Sequence, residues 1–308
     1  MSISSRPSPA PRPPDPDRFW NDAEVVLEPE DPRPGSWAGG PSAQLVDGTW
    51  WLAYRLRRPV GEGRGIANVV ARSDDGVRFT PVVGIGKDSF GAESLERPAL
   101  VHTPEGRWRL YVSCATPGTK HWRVDLLEAG SVADLATATS RTVLPGDART
   151  AVKDPVIRHD GDQWHLWASV HPLDDPDATD RMTTEHATSD DGVTWQWRGT
   201  ALAGTPGSWD ARGVRFATVV LAGSQTWALY DGRATAEENW EERTGLARHD
   251  GGLGFTAAPD GPLLQSPHAP SGLRYADVVA LPDGGARWFY EATRADGAHE
   301  LRTVLLPD

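Results

Sequence analysis

The chain has 308 residues and carries 43 acidic against 31 basic side chains, a net charge of −12 at pH 7, which argues against a partner made of nucleic acid or an anionic membrane. Cys114 is the only cysteine, so an internal disulfide and a multi-cysteine metal site are excluded, and neither a metal ion nor a cofactor is expected. No apolar run approaches the ~20 residues that span a bilayer, and 14 Trp beside 2 Met favour sheets over helical bundles.

Residues 1–18 are proline-rich and lack the apolar stretch of a secretory signal, so they are expected to be a mobile tail. A cytoplasmic protein with one domain over residues 19–308 is the corresponding expectation. Val25–Leu27 is a short apolar stretch, and beyond it one unit recurs five times: an apolar run, a turn, and an apolar run led by tryptophan. It reads PSAQLVDGTWWLAY (41–54), PALVHTPEGRWRLY (98–111), PVIRHDGDQWHLW (155–167), ATVVLAGSQTWALY (217–230) and DVVALPDGGARWFY (277–290). A second marker, ARSDDGVRF (71–79), ATSDDGVTW (187–195) and ARHDGGLGF (247–255), follows three of them. Its Asp-Gly content suits tight turns between outer strands and lacks a calcium-loop spacing.

A repeat of roughly 60 residues built of short β-rich segments predicts an all-β fold, a five-bladed β-propeller with four antiparallel strands per blade. The last repeat runs out near Leu305 with about three strands, so Val25–Leu27 is expected to supply its outer strand and close the ring. Helix is expected only locally, over Ala234–Glu242, and His186 and His249 are expected on the surface.

In such a blade the start of the first strand and the end of the second share one mouth of the central funnel. Those positions gather Trp37 and Arg55 with Arg57, Glu96 and Arg97, Lys153 and Asp154 with His171, Trp209, Asp210 and Arg212 with Asp231 and Arg233, and Arg274, Tyr275 and Asp277 with Glu291. Charges near an enclosed axis are costly unless paired or used. Carboxylates facing one cavity also shift one another's pKa, so a proton donor and a base can coexist. The competing reading makes the same charges ion pairs that staple neighbouring blades.

WLAYR (51–55), ARSDDGVRF, ERP (96–98), KDP (153–155) and GSWDARGVR (207–215), in a fivefold layout, resemble five-bladed-propeller glycosidases of the arabinanase/xylosidase, fructosidase and mannoside-phosphorylase-like families. The resemblance implies a sugar-active enzyme in which carboxylates from different blades flank the scissile bond. Asp154 matches the blade-three Asp-Pro of those families, and Glu96 the blade-two acidic-Pro signature. The blade-one Asp-Pro is replaced by Gly39-Gly40-Pro41, and the blade-four glutamate has no counterpart over 212–218.

The expected catalytic carboxylates are therefore Asp154, Glu96, Asp231 and Asp277. Arg97, Lys153, Trp209, Asp210, Arg212, Arg233, Arg274, Tyr275, His171 and Trp37 are expected to hold substrate. Hydrolysis of a small saccharide or glycoside is the leading expectation, and the arginines suit an anionic one. The alternatives are a phosphorylase, lyase or isomerase on the same scaffold, and a binding propeller without catalysis. Residues 230–247, rich in glutamate, are expected to lie over the mouth.

Overall fold

The computed structural model describes residue 14 and residues 16–282 and 284–307. The proline-rich tail expected over 1–18 falls mostly outside the described residues, and Pro16–Asn21 forms a short helix. Strand β1 (Glu24–Leu27) follows. A first meander runs through β2 (Trp37–Val46), β3 (Thr49–Arg57), β4 (Gly65–Ser73) and β5 (Thr80–Gly86). The second is β6 (Leu95–His102), β7 (Trp108–Ala115), β8 (Trp122–Ala129) and β9 (Arg141–Leu144). The third is β10 (Thr150–His159), β11 (Trp164–Pro172), β12 (Thr183–Ser189) and β13 (Gln196–Leu202). The fourth is β14 (Gly213–Val220), β15 (Trp227–Arg233), β16 (Arg243–His249) and β17 (Phe255–Ala257). The last is β18 (Leu273–Ala280), β19 (Ala286–Thr293) and β20 (His299–Leu306).

Within every meander consecutive strands pair antiparallel. β1 adds to the outer side of β20, with Glu24 opposite Thr303 and Leu27 opposite Leu301. One parallel pair, Trp37 with His299, links the last meander to the first, so these strands count as a single eight-stranded sheet beside three four-stranded ones. The first strands of the meanders pack in sequence, β2 on β6, β6 on β10, β10 on β14, β14 on β18 and β18 on β2.

The repeat tryptophans Trp50, Trp108, Trp164, Trp227 and Trp288 are all buried. They belong to apolar clusters that fill the junctions between neighbouring sheets rather than the axis. The two DDG segments are turns, as their composition implies. Ser73 Oγ and Asp75 Oδ1 accept the backbone N–H groups of Gly76 and Val77, and Ser189 and Asp191 repeat that pattern with Gly192 and Val193.

Two local expectations are corrected. Residues 234–242 form bends and turns, not a helix, because their glutamates are drawn to different partners. Glu238 accepts Ala234 N–H and Arg243, Glu241 accepts from Thr293 and approaches His299, and Glu242 enters an arginine cluster. His186 is buried, its ring near-parallel to those of Trp167 and His165 with centroids 5.0 and 5.4 Å away, and His249 is half-buried. Among the described residues no helix is long and apolar enough to cross a membrane.

Candidate active site

Every first strand breaks register once: after Gly39 in β2, Leu95 in β6, Lys153 in β10, Phe216 in β14 and Arg274 in β18. A bulge turns the next side chain away from the strand's regular alternation. The residues that follow include Gly40, Glu96, Asp154 and Tyr275. Asp154 and Tyr275 are held at φ 52° and 55°, a left-handed conformation that side chains rarely adopt and that clusters at functional sites. They meet across the molecule, the Tyr275 hydroxyl 3.5 Å from Asp154 Oδ2.

Above them lies a cavity of about 180 Å³ whose lining includes Glu96, Lys120, Lys153, His171, Asp180, Arg215, Arg233, Asn239, Trp240, Glu242, Arg274 and Tyr275. An alternating chain of charges surrounds it. Glu96 accepts from Arg55, whose other arm donates to Glu291 at 2.9 Å. Glu291 also accepts from Arg274 at 2.8 Å, and Arg274 donates to Glu242 at 3.0 Å. Glu242 further takes Arg233 and Arg215, and Arg215 Nε donates to Asp231 at 3.0 Å. Asp154 is approached by Arg215 at 3.7 Å and by Lys153 at 3.6 Å, while its Oδ1 is buried without a partner.

These surroundings set the charge states. Burial alone would raise Glu96, but Arg55, Lys153 and Arg57 outweigh it and hold the carboxyl down to about 2. Glu242 and Glu291 are likewise held below the usual carboxylate range by their arginines against the cost of burial. Asp231 goes the other way: burial dominates, Arg215 opposes it only in part, and the group is pushed up to about 6. Burial holds the Tyr275 phenol far above its ordinary value, so it stays neutral. Burial, aided by Lys153, holds His171 well below 6.5, so its ring is neutral too.

Of the four expected catalytic carboxylates, Glu96 lines the cavity, and Asp154 and Asp231 lie against Tyr275, Asp231 accepting the Tyr275 N–H at 3.0 Å. Asp277 stands apart. It accepts Ala43 N–H at 2.8 Å, Thr218 at 3.0 Å and Arg158 at 3.0 Å, and so ties β2, β10 and β14 to β18. Lys153, His171, Arg233, Arg274 and Tyr275 line the cavity. Arg97 is buried below, bound to the Pro41 carbonyl with Nη1 unpartnered. Trp37 is buried, stacked on His299 at 4.7 Å. Trp209 stacks on Tyr230, Asp210 accepts the Tyr230 hydroxyl, and Arg212 is a two-pronged donor to Asp180; these three support the wall and do not line it.

Glu242, Glu291 and Asp180 are the acids that the candidate set lacks. Glu291 occupies the space beside Gly39, where an added Cβ would lie 2.1 Å from its Oε2. Gly39 is therefore required by the close approach of a carboxylate from β19. A larger recess of about 1220 Å³ opens between the third and fourth sheets, lined by His159, His165, His186, Trp197 and Leu253 among others. His165 is engaged with His186 and Asp160, and His159 with Gly161 N–H, and the carboxylate network does not reach this recess.

No family model and no curated protein matches the chain. Solved structures do. An α-L-arabinofuranosidase from Lactobacillus brevis superposes with a TM-score of 0.66 at 14% identity over 87% of this chain and 90% of that one. The β-1,2-mannobiose phosphorylase from Listeria innocua, in complex with β-1,2-mannobiose, gives 0.64 at 14% over 92% and 91%. A glycosyl hydrolase from Bacteroides ovatus gives 0.62 at 14% over 98% and 95%. The fold is thus the all-β fold of the glycoside hydrolases and mannoside phosphorylases that the sequence resembles, and at these identities the likeness is one of fold.

Proposed function

We propose that the chain is a sugar-active enzyme of glycoside-hydrolase type, a five-bladed β-propeller whose last blade is completed by β1. The observation that carries this reading is the meeting of Glu96 and Tyr275, from different meanders, at one cavity, with Asp154 of a third meander 3.5 Å behind the Tyr275 hydroxyl, on a fold shared with such enzymes. The packing order of the first strands and the β1–β20 pairing support the blade count.

Cleavage of a glycosidic bond needs a proton for the departing oxygen and negative charge near the oxocarbenium-like carbon. Tyr275, neutral and at the cavity surface, gives its proton to the leaving oxygen. The guanidinium of Arg215, 4.0 Å from the ring centre, steadies the phenolate that results. Glu96 remains ionised and faces the developing positive charge. Water supplies the hydroxyl to the sugar, and its second proton passes through Asp154 back to the phenol. On a panel of nitrophenyl glycosides that includes uronides, Tyr275→Phe and Asp154→Asn are each expected to lower kcat by about 10²-fold or more, the range of a lost general acid or base. Unchanged turnover in both variants refutes these roles.

A second reading, a phosphorylase or lyase, is favoured by one feature: the bulge position equivalent to Asp154 in β2 is Gly40, so the blade-one acid of the hydrolases has no counterpart. A requirement for inorganic phosphate, or an unsaturated product absorbing in the ultraviolet, selects it.

A further inference from the structure

Arg55 and Arg57 stand two residues apart on β3 and meet opposite circumstances. Arg55 is saturated by Glu96 and Glu291. Arg57 is 2% exposed, has no ion pair among the described residues, and keeps Nε and Nη1 buried without a hydrogen-bond partner. Its guanidinium lies 3.6 Å from the centre of the Trp37 ring and 4.8 Å from that of Trp240, two indoles that themselves meet edge to face at 5.9 Å. Stacking engages the faces of a guanidinium and leaves its in-plane donors unused. A buried charge with unused donors is costly, and burial without a carboxylate partner brings Arg57 down to about 9.

The cover over it is of a different kind from the floor. Trp37 is buried and fixed by His299. Trp240 is 40% exposed, sits on the turn between β15 and β16 at φ 78°, and lines the cavity beside Asn239. Trp240 thus touches Arg57 and lines the cavity at once. Arg64, Lys120 and Lys153 stand on the same lining, whose acids Glu96, Asp180 and Glu242 are each ion-paired with arginines, so basic groups outnumber acidic ones along the approach from the cavity.

We propose that Arg57 receives an oxyanion carried on the sugar, a carboxylate or a phosphate, when Trp240 swings aside, so that the ligand of this site is an anionic saccharide. The planar fork offers the two parallel donors that such a group accepts. The inference rests on the cavity being a saccharide site.

The test is calorimetric titration of the whole protein with hexuronates, hexose 6-phosphates, the parent hexoses and inorganic phosphate. At least one sugar anion is expected to bind ten-fold or more tightly than its neutral parent. Arg57→Met should abolish that preference, Arg57→Lys should keep part of it, and Trp240→Gly should tighten anion binding several-fold by removing the cover. Equal binding of anions and parents, or a preference that survives Arg57→Met, overturns the inference and leaves the saccharide site standing. Tight binding of inorganic phosphate without preference for sugar anions also overturns it. Binding of no saccharide at all overturns the enzyme reading, and the inference with it. Should Arg57→Met fail to fold, Trp240→Gly decides at an exposed position: unchanged or weaker anion binding refutes the role of Arg57.

Discussion

Asp231 and Glu242 share Arg215, yet their surroundings drive them in opposite directions, and the difference is open to measurement. Glu242 faces three guanidinium groups and is held ionised. Its contribution to stability is present above its ordinary value of 4.5 and is lost as acid protonates it. Asp231 is raised from 3.8 to about 6, so between those values the folded chain holds a proton that the unfolded chain releases. Its contribution is full below pH 3.8 and is lost as pH rises through about 6. The change amounts to about 3 kcal/mol at the ordinary conversion per pKa unit. Asp231→Asn removes this titration, so the Tm of the variant relative to that of the wild type should rise between pH 4 and 7. A slope identical in both proteins would show that Asp231 does not titrate in that window.

The bulge is the element on which the site depends, and β2 shows what each residue of a bulge tolerates. Gly39 has no room, since its missing Cβ is replaced by the Glu291 carboxylate. At Gly40, φ 62°, an added Cβ would meet its nearest neighbour, the Arg97 Cα, at 3.4 Å. Gly39→Ala should therefore cost about 3 kcal/mol or more through overpacking and the disturbance of Arg55 and Arg274. Gly40→Ala takes a left-handed conformation with an ordinary contact at its Cβ and should cost about 1–2 kcal/mol. Urea denaturation of the two variants checks the order, and a Gly39→Ala protein as stable as Gly40→Ala contradicts the packing described. The strands around these bulges were legible because an apolar run, a turn and a tryptophan-led run recur roughly every 60 residues. Glu291 was legible at the mouth from its place after the tryptophan-led run, but neither it nor Glu242 was legible as a partner of the arginines there. Each is an ordinary glutamate in its local sequence, and only the meeting of arginines from separate sheets makes it a buried charge. The helix expected over Ala234–Glu242 fails for the same reason: long-range partners of consecutive glutamates outweigh a propensity of a few tenths of a kcal/mol per residue.

At the scale of the molecule, the two ends of the described chain are fastened to one another. β1 lies on β20, and Phe19 of the preceding helix is 1% exposed, its ring 5.7 Å from Trp288 and 4.6 Å from Tyr290 on β19. The Trp288–Tyr290 surface is the core of the last meander, so a residue near the beginning of the chain completes packing made by its final strands. The composition of residues 1–18 pointed to solvent, and nothing in the residues around Phe19 announces a partner some 270 positions away. Such a contact joins segments some 270 residues apart, and without it the outer edge of β20 and an aromatic pair would be exposed. Phe19→Ala should therefore destabilise the whole protein by about 3–5 kcal/mol, the usual range for a buried phenylalanine. The loss should appear in the same cooperative transition whether followed by tryptophan fluorescence or by far-ultraviolet circular dichroism. An early separate transition of the last meander, with the remaining sheets melting as in the wild type, would mean that the ends are only loosely joined and that the ring holds without them.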